Sequence, residues 1–189
     1  MLRRIRNWSA TAGLIAIFLA GCATVPNTFA NADPTADFSS YTTYGFLETL
    51  STDKQSYESM ESSFLKVAVA QQLDRRGMSY SENPDLLVNF YIHTEEKIRT
   101  RSVPTTGAYY GFRDPFYDTW GGYGGFETRV DQYTEGTLHI DMSDAASNKL
   151  VWEGAIVGHV TDNAIRNLEK TIDGAVAEIM KNYPIQPGR

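Results

Sequence analysis

The 189-residue chain holds a single cysteine, Cys22, and only three histidines. One thiol excludes an internal disulfide, so the folded part has to be held by its core. No apolar run reaches the ~20 residues that a membrane-spanning helix needs. Basic residues are scarce as well: 17 Lys and Arg stand against 23 Asp and Glu, a net charge of −6. That balance leaves no electrostatic footprint for nucleic acid and no basic cluster for anionic headgroups. Phosphate loops, zinc-ligand spacings, Gly-x-Ser-x-Gly elbows and cofactor fingerprints are absent. The expectation is a protein with no catalytic set, no metal and no cofactor.

What is present begins at the N-terminus. Met1–Asn7 carries Arg3, Arg4 and Arg6 without an acid, and Ala10–Ala20 is apolar or small apart from Thr11. Leu19-Ala20-Gly21-Cys22 then closes the run on small residues. A basic region, an apolar region and a small-residue site, in that order, form a secretion signal. The Leu-Ala-Gly-Cys ending resembles the lipobox of bacterial lipoproteins. The resemblance implies cleavage before Cys22, lipidation of its sulfur and acylation of its new N-terminus with fatty chains such as palmitate. At about 0.8 kcal/mol per buried methylene, several chains hold a protein on a membrane almost permanently. Ala23, where the inner-membrane sorting rule has aspartate, implies the outer membrane with the domain facing the periplasm. Loss of residues 1–21 removes three arginines and no acid, so the net charge moves from −6 to −9.

Ala23–Ala36 is small and polar, with Pro26 and Pro34, and reads as a tether. Phe38–Leu47, aromatic and Thr-rich, reads as a first strand. Tyr57–Arg76 reads as a helix with Leu65, Ala68, Val69 and Leu73 inward and Gly77 as its left-handed C-terminal cap. Leu86–Arg99 alternates, with Leu86, Val88, Phe90 and Ile92 on one face. Glu127–Met142 repeats the pattern, and Leu150–Val160 returns after a turn at Asp144–Lys149. Matching the apolar faces sets Met142 opposite Leu150 and His139 opposite Glu153. Thr161–Asn163 caps a last helix with Ile165, Leu168, Ile172, Ala175, Val176 and Ile179 on one face, and Pro184 stops it. These elements predict a two-layer α+β domain: a mixed, mainly antiparallel sheet of about four strands, with two helices on one face. The expected boundaries are signal 1–21, acylated end and tether 22–36, domain 37–184 and tail 185–189.

Two polar constellations merit weighing as chemistry. His93, His139 and His159 all point outward, but the register spaces them too far apart along the strands for one metal. The carboxylates Glu127, Asp131, Glu135 and Asp141 alternate with Arg129 and His139, as a solvated sheet face does. The unusual stretch is 105–126, where Tyr109, Tyr110, Phe112, Phe116, Tyr117, Trp120, Tyr123 and Phe126 stand among glycines. Loops this long are functional or disordered. Aromatics on such a backbone offer rigid contact area for a partner or a sugar.

The body of the chain resembles bacterial lipoproteins with the domain of unknown function 4136. The resemblance runs from Asp37–Tyr44 through Leu73–Met78, Pro84–Tyr91 and the aromatic loop. It continues in Gly136–Asp141 and Lys149–Gly154 and ends at Tyr183-Pro184; Met78 replaces a common aromatic. The resemblance implies location and fold, with no catalytic residues. Together these readings predict a non-enzymatic envelope lipoprotein. Its partners would be the membrane, through the acyl chains, and another envelope protein or cell-wall component. The alternative is an envelope hydrolase or carbohydrate-binding module acting on cell-wall sugars.

Overall fold

The computed structural model describes residues 27–54, 57–105 and 125–188. Their architecture is α+β: a mixed sheet of six strands, with helices contributing to one common core. The strands are β1 (Asn27–Ala32), β2 (Thr43–Phe46), β3 (Ser79–Tyr80), β4 (Leu86–Thr105), β5 (Gly125–Asp144) and β6 (Lys149–His159). The helices are α1 (Met60–Asp74), α2 (Asp162–Arg166) and α3 (Leu168–Met180), with a short 3-10 turn at Phe38–Ser40. Across the sheet the order is β1-β6-β5-β4-β2-β3. Strand β2 runs parallel to β3 and β4, while all other neighbours are antiparallel.

The period-2 pattern places Leu86, Val88 and Phe90 of β4 opposite Asp144, Met142 and Ile140 of β5. All three β4 side chains are fully buried, and with Met142, Ile140 and Trp152 they form the sheet's share of the core. Helices α1 and α3 add Leu65, Val69, Leu73, Ile172, Val176 and Ile179. Close approach of α3 to β6 depends on Gly154. A Cβ there would sit 2.5 Å from Trp152 and 2.6 Å from Ile179. Gly77, at φ +83°, ends α1 as expected. At the same corner, Arg76 donates to the carbonyls of Gln72, Met180 and Ile185, which fastens the end of α1 to the end of α3.

Several expectations need correction. The sheet has six strands, not about four, because β1 and β3 were not anticipated. β1 falls inside the expected tether 22–36. Its Asn-Thr-Phe-Ala-Asn-Ala sequence has no apolar alternation to announce it, and it exists because the open edge of β6 supplies hydrogen bonds from Asn27↔Val157 to Ala32↔Trp152. Its far end is fixed by an ion pair of Asp33 with Lys149. The expected first strand begins late, since Asp37 accepts from Ser39 N at 3.1 Å and turns Phe38–Ser40 into a 3-10 turn.

Register and helix ends differ too. Four residues, Ala145–Asn148, lie between the paired Asp144 and Lys149, and the pairing shifts between Met142 and Ser143. Met142 therefore opposes Trp152, and His139 opposes Ala155. Leu150 falls outward at 47% exposure, and Val151 enters the core in its place. The last helix is two helices. Asn167 bonds back to Asn163 O and Oδ1, both at 2.9 Å, and its φ of −119° breaks the helix there. Such local amide bonding competes with helix propagation.

Candidate functional site

β5 and β6 stay paired as far as Glu135↔His159, and Val160 N donates to Thr134 O just beyond. Past that point, among the described residues, β4 and β5 continue as a pair, a ribbon that runs to Thr105↔Gly125. The core face of the sheet is thus covered at its base and uncovered where the ribbon departs. A groove of about 700 Å³ opens at this step. Ile92, Leu138, Ile156 and Val160 supply its sheet side, and Ile165, Leu168, Ile172 and Ala175 of α2 and α3 its helix side. Glu61, Lys170 and Glu178 are its charged residues, and His159 borders it from a strand position whose ring lies on the other face. Gly158 leaves open space where a side chain would intrude. The volume falls in the ~300–1,000 Å³ range of small-ligand sites, which are apolar with few polar groups. The apolar residues of the lining offer burial of apolar groups.

Sequence reasoning missed this groove as a site. Its members were legible singly as core positions on two faces. What made them a site is the mismatch between a twenty-residue strand pair and much shorter helices.

The opposite sheet face carries the three histidines, apart from one another in partner and place. His139 meets Phe29 edge-on at 6.1 Å and Tyr91 at 5.8 Å. His93 stacks on Tyr91 at 6.5 Å, and His159 stacks on Tyr133 at 4.4 Å. Among the described residues no group of three His, Cys, Asp or Glu side chains is placed to hold a metal. Asp141 lies directly opposite Glu153. Burial, then the Glu153 charge, pushes the Asp141 carboxyl above the usual range, while His139 works the other way. Asn31 Nδ2 donates to Glu153 Oε1 at 2.8 Å. The remaining outward carboxylates are separated: Glu135 contacts Lys97 at 3.7 Å, Glu127 contacts Arg129 at 3.8 Å, and Asp131 opposes Arg99.

Cys22, Tyr109, Tyr110, Phe112, Phe116, Tyr117, Trp120 and Tyr123 lie outside the described residues. Phe126 lies inside them and corrects the expected loop 105–126. It belongs to β5, opposite Pro104, and is 74% exposed. The two strands extend to Thr105 and from Gly125 because their ladder continues after the apolar alternation has faded.

The model of one family, the domain of unknown function DUF4136, matches residues 28–185. The chain belongs to the DUF4136 family. The match begins within β1, which agrees with an ordered domain that starts before Asp37. No curated protein matches the chain significantly. Among solved structures, this DUF4136 domain is similar to a PDZ domain protein from Parabacteroides distasonis, with TM-score 0.53 and 11% identity. That likeness covers 86% of this chain but 36% of the other, so the DUF4136 chain spans about a third of that protein. Two PelC dodecamer structures from Paraburkholderia phytofirmans are also similar. One, a single-residue variant, has TM-score 0.45 and 11% identity; the other has 0.47 and 8%, and each likeness covers 87% of this chain and 99% of PelC. At such identities the likeness to the first structure speaks of fold alone.

Proposed function

We propose that this DUF4136 chain is a non-enzymatic lipoprotein, anchored through Cys22 to the outer membrane, whose periplasmic domain binds an envelope protein through its apolar groove. In this reading the two long helices form one layer on one sheet face and end short of the ribbon, leaving the groove between. The observation that carries it is the groove itself, a ~700 Å³ recess with nine apolar residues around it. Burial at about 25 cal/mol per Å² makes such a recess a receptor for apolar side chains. The aromatic residues Tyr109, Tyr110, Phe112, Phe116, Tyr117, Trp120, Tyr123 and Phe126 offer a second contact area for the same partner. The lipobox supports the anchor, and the acidic body leaves the acyl chains as its membrane hold.

The alternative, a hydrolase or carbohydrate-binding module for cell-wall sugars, has in its favour the raised carboxyl of Asp141, opposite Glu153 on the sheet face that also carries Tyr91 and Phe29. Those groups lie on a strand face away from the groove. A photo-crosslinking residue at Ile165, which is 61% exposed at the groove, separates the readings in intact cells. Crosslinks to an envelope protein from Ile165, and none from Tyr91, are expected. Crosslinks to glycan, or none from Ile165, would sink the protein-binding reading.

A further inference from the structure

We infer that the uncharged face of the β4–β5 ribbon docks on the lipid bilayer in which Cys22 is anchored. The inference rests on the anchoring reading and adds an orientation and a contact surface to it.

The first ground is where the described chain begins. Asn27 pairs with Val157, Val157 with Thr137, and Thr137 with His93, so Asn27 lies at the level of His93. From His93 the ribbon runs twelve residues to Thr105, about 40 Å at the usual strand rise. In the other direction β4 runs seven residues back to Leu86, about 23 Å. Cys22 precedes Asn27 by five residues, a reach of about 17 Å at full extension. The sheet outruns its tether both ways. With Cys22 at the bilayer, the strands cannot stand along the membrane normal, and the sheet is inclined toward the surface.

The second ground is the chemistry of the ribbon's two faces. Ile98, Thr100 and Ser102 share one face with Val130, Thr128 and Phe126. Ile98, Val130 and Phe126 are 70%, 63% and 74% exposed. Glu96, which accepts from Gln132 Nε2 at 2.8 Å, bounds this face at its base, and beyond it the face is uncharged. The other face carries the remaining charges, among them Arg99 over the Tyr133 ring at 5.5 Å, Lys97 in contact with Glu95 at 2.9 Å, and Arg101 opposite Arg129. Two strands without a third are marginal in water, and among the described residues nothing covers the apolar side of this pair. From Glu95 to Thr105 and Gly125 to Glu135 there are four cations and five carboxylates. Attraction to headgroup charge is therefore not the driving force. Burial in the interface is, and the contact is insensitive to salt.

The test uses the acylated full-length lipoprotein in phosphatidylcholine vesicles whose acyl chains carry nitroxides. Acylation occupies the Cys22 sulfur, so an introduced cysteine is the single site for a fluorophore. Val130→Cys places it on the uncharged face, Asp131→Cys on the charged face, and Ala146→Cys at the far turn. The expected result is several-fold stronger quenching at 130 than at 131 or 146, unchanged by high salt. Protein that is acylated by mass and floats with the vesicles, yet is quenched equally at 130 and 146, would overturn the docking and leave the anchor standing. Energy transfer between labelled copies at 130 would put a second copy on that face and overturn it too. An unmodified Cys22 would overturn both readings.

Discussion

Asp85 shows how one side chain can set a strand junction. Its carboxylate accepts from the backbone N–H of Thr42 and of Thr43, each at 2.9 Å, and from Thr42 Oγ1 at 3.1 Å. Its own N–H donates to Thr43 Oγ1 at 2.9 Å. The Thr42 and Thr43 amides lead in lowering its pKa from 3.8 to about 2. A lowered carboxyl pKa stabilises the fold when ionised. The contribution is thus complete above the ordinary value and is lost as pH falls through about 2. Asp85→Ala is expected to cost roughly 1 kcal/mol at neutral pH, a modest figure because the group is solvent-screened. The difference in melting temperature from wild type should shrink between pH 4 and pH 2. A pH-independent difference would show that the carboxylate's charge is not what joins β2 to β4. Pro84-Asp85 was legible as the start of a strand, but the capture of β2 by Asp85 was not. That bond spans 42 residues, and no local pattern encodes it.

At the scale of elements, the strongest local periodicities came through and the non-local pairings did not. Leu86, Val88 and Phe90 are buried as their alternation required, and Ile172, Val176 and Ile179 as their helical spacing required. β1 was illegible because its stability comes from the β6 edge, and the β5–β6 bulge because a register belongs to two strands at once. The groove escaped for a related reason: strand and helix lengths can each be guessed, but their difference is a property of the assembled layers. Packing of α3 on β6 gives a paired prediction. Gly154→Ala puts a methyl into Trp152 and Ile179 and should cost about 1–3 kcal/mol. Gly174→Ala in α3 meets nothing within 4 Å and should gain about 0.4–1 kcal/mol by lowering the unfolded chain's freedom. Chemical denaturation of both variants checks the signs. Equal effects would mean that α3 does not sit on Gly154 as described.

For the whole molecule, three features converge on the proposed arrangement: Cys22 five positions before the sheet, a ribbon longer than those five residues can reach, and a groove at the ribbon's base. Among the described residues no helix is long and apolar enough to cross a membrane; membrane contact through acyl chains and the ribbon is what we propose. The DUF4136 match spans residues 28–185, from β1 to just past α3. Everything in the functional account hangs on Cys22. The direct measurement is the mass of the N-terminal peptide of protein extracted from cell membranes. The account predicts a peptide that begins at Cys22 and carries both a lipidated sulfur and an acylated amine. A peptide that retains residues 1–21, or one that begins at Cys22 with an unmodified thiol, would contradict it.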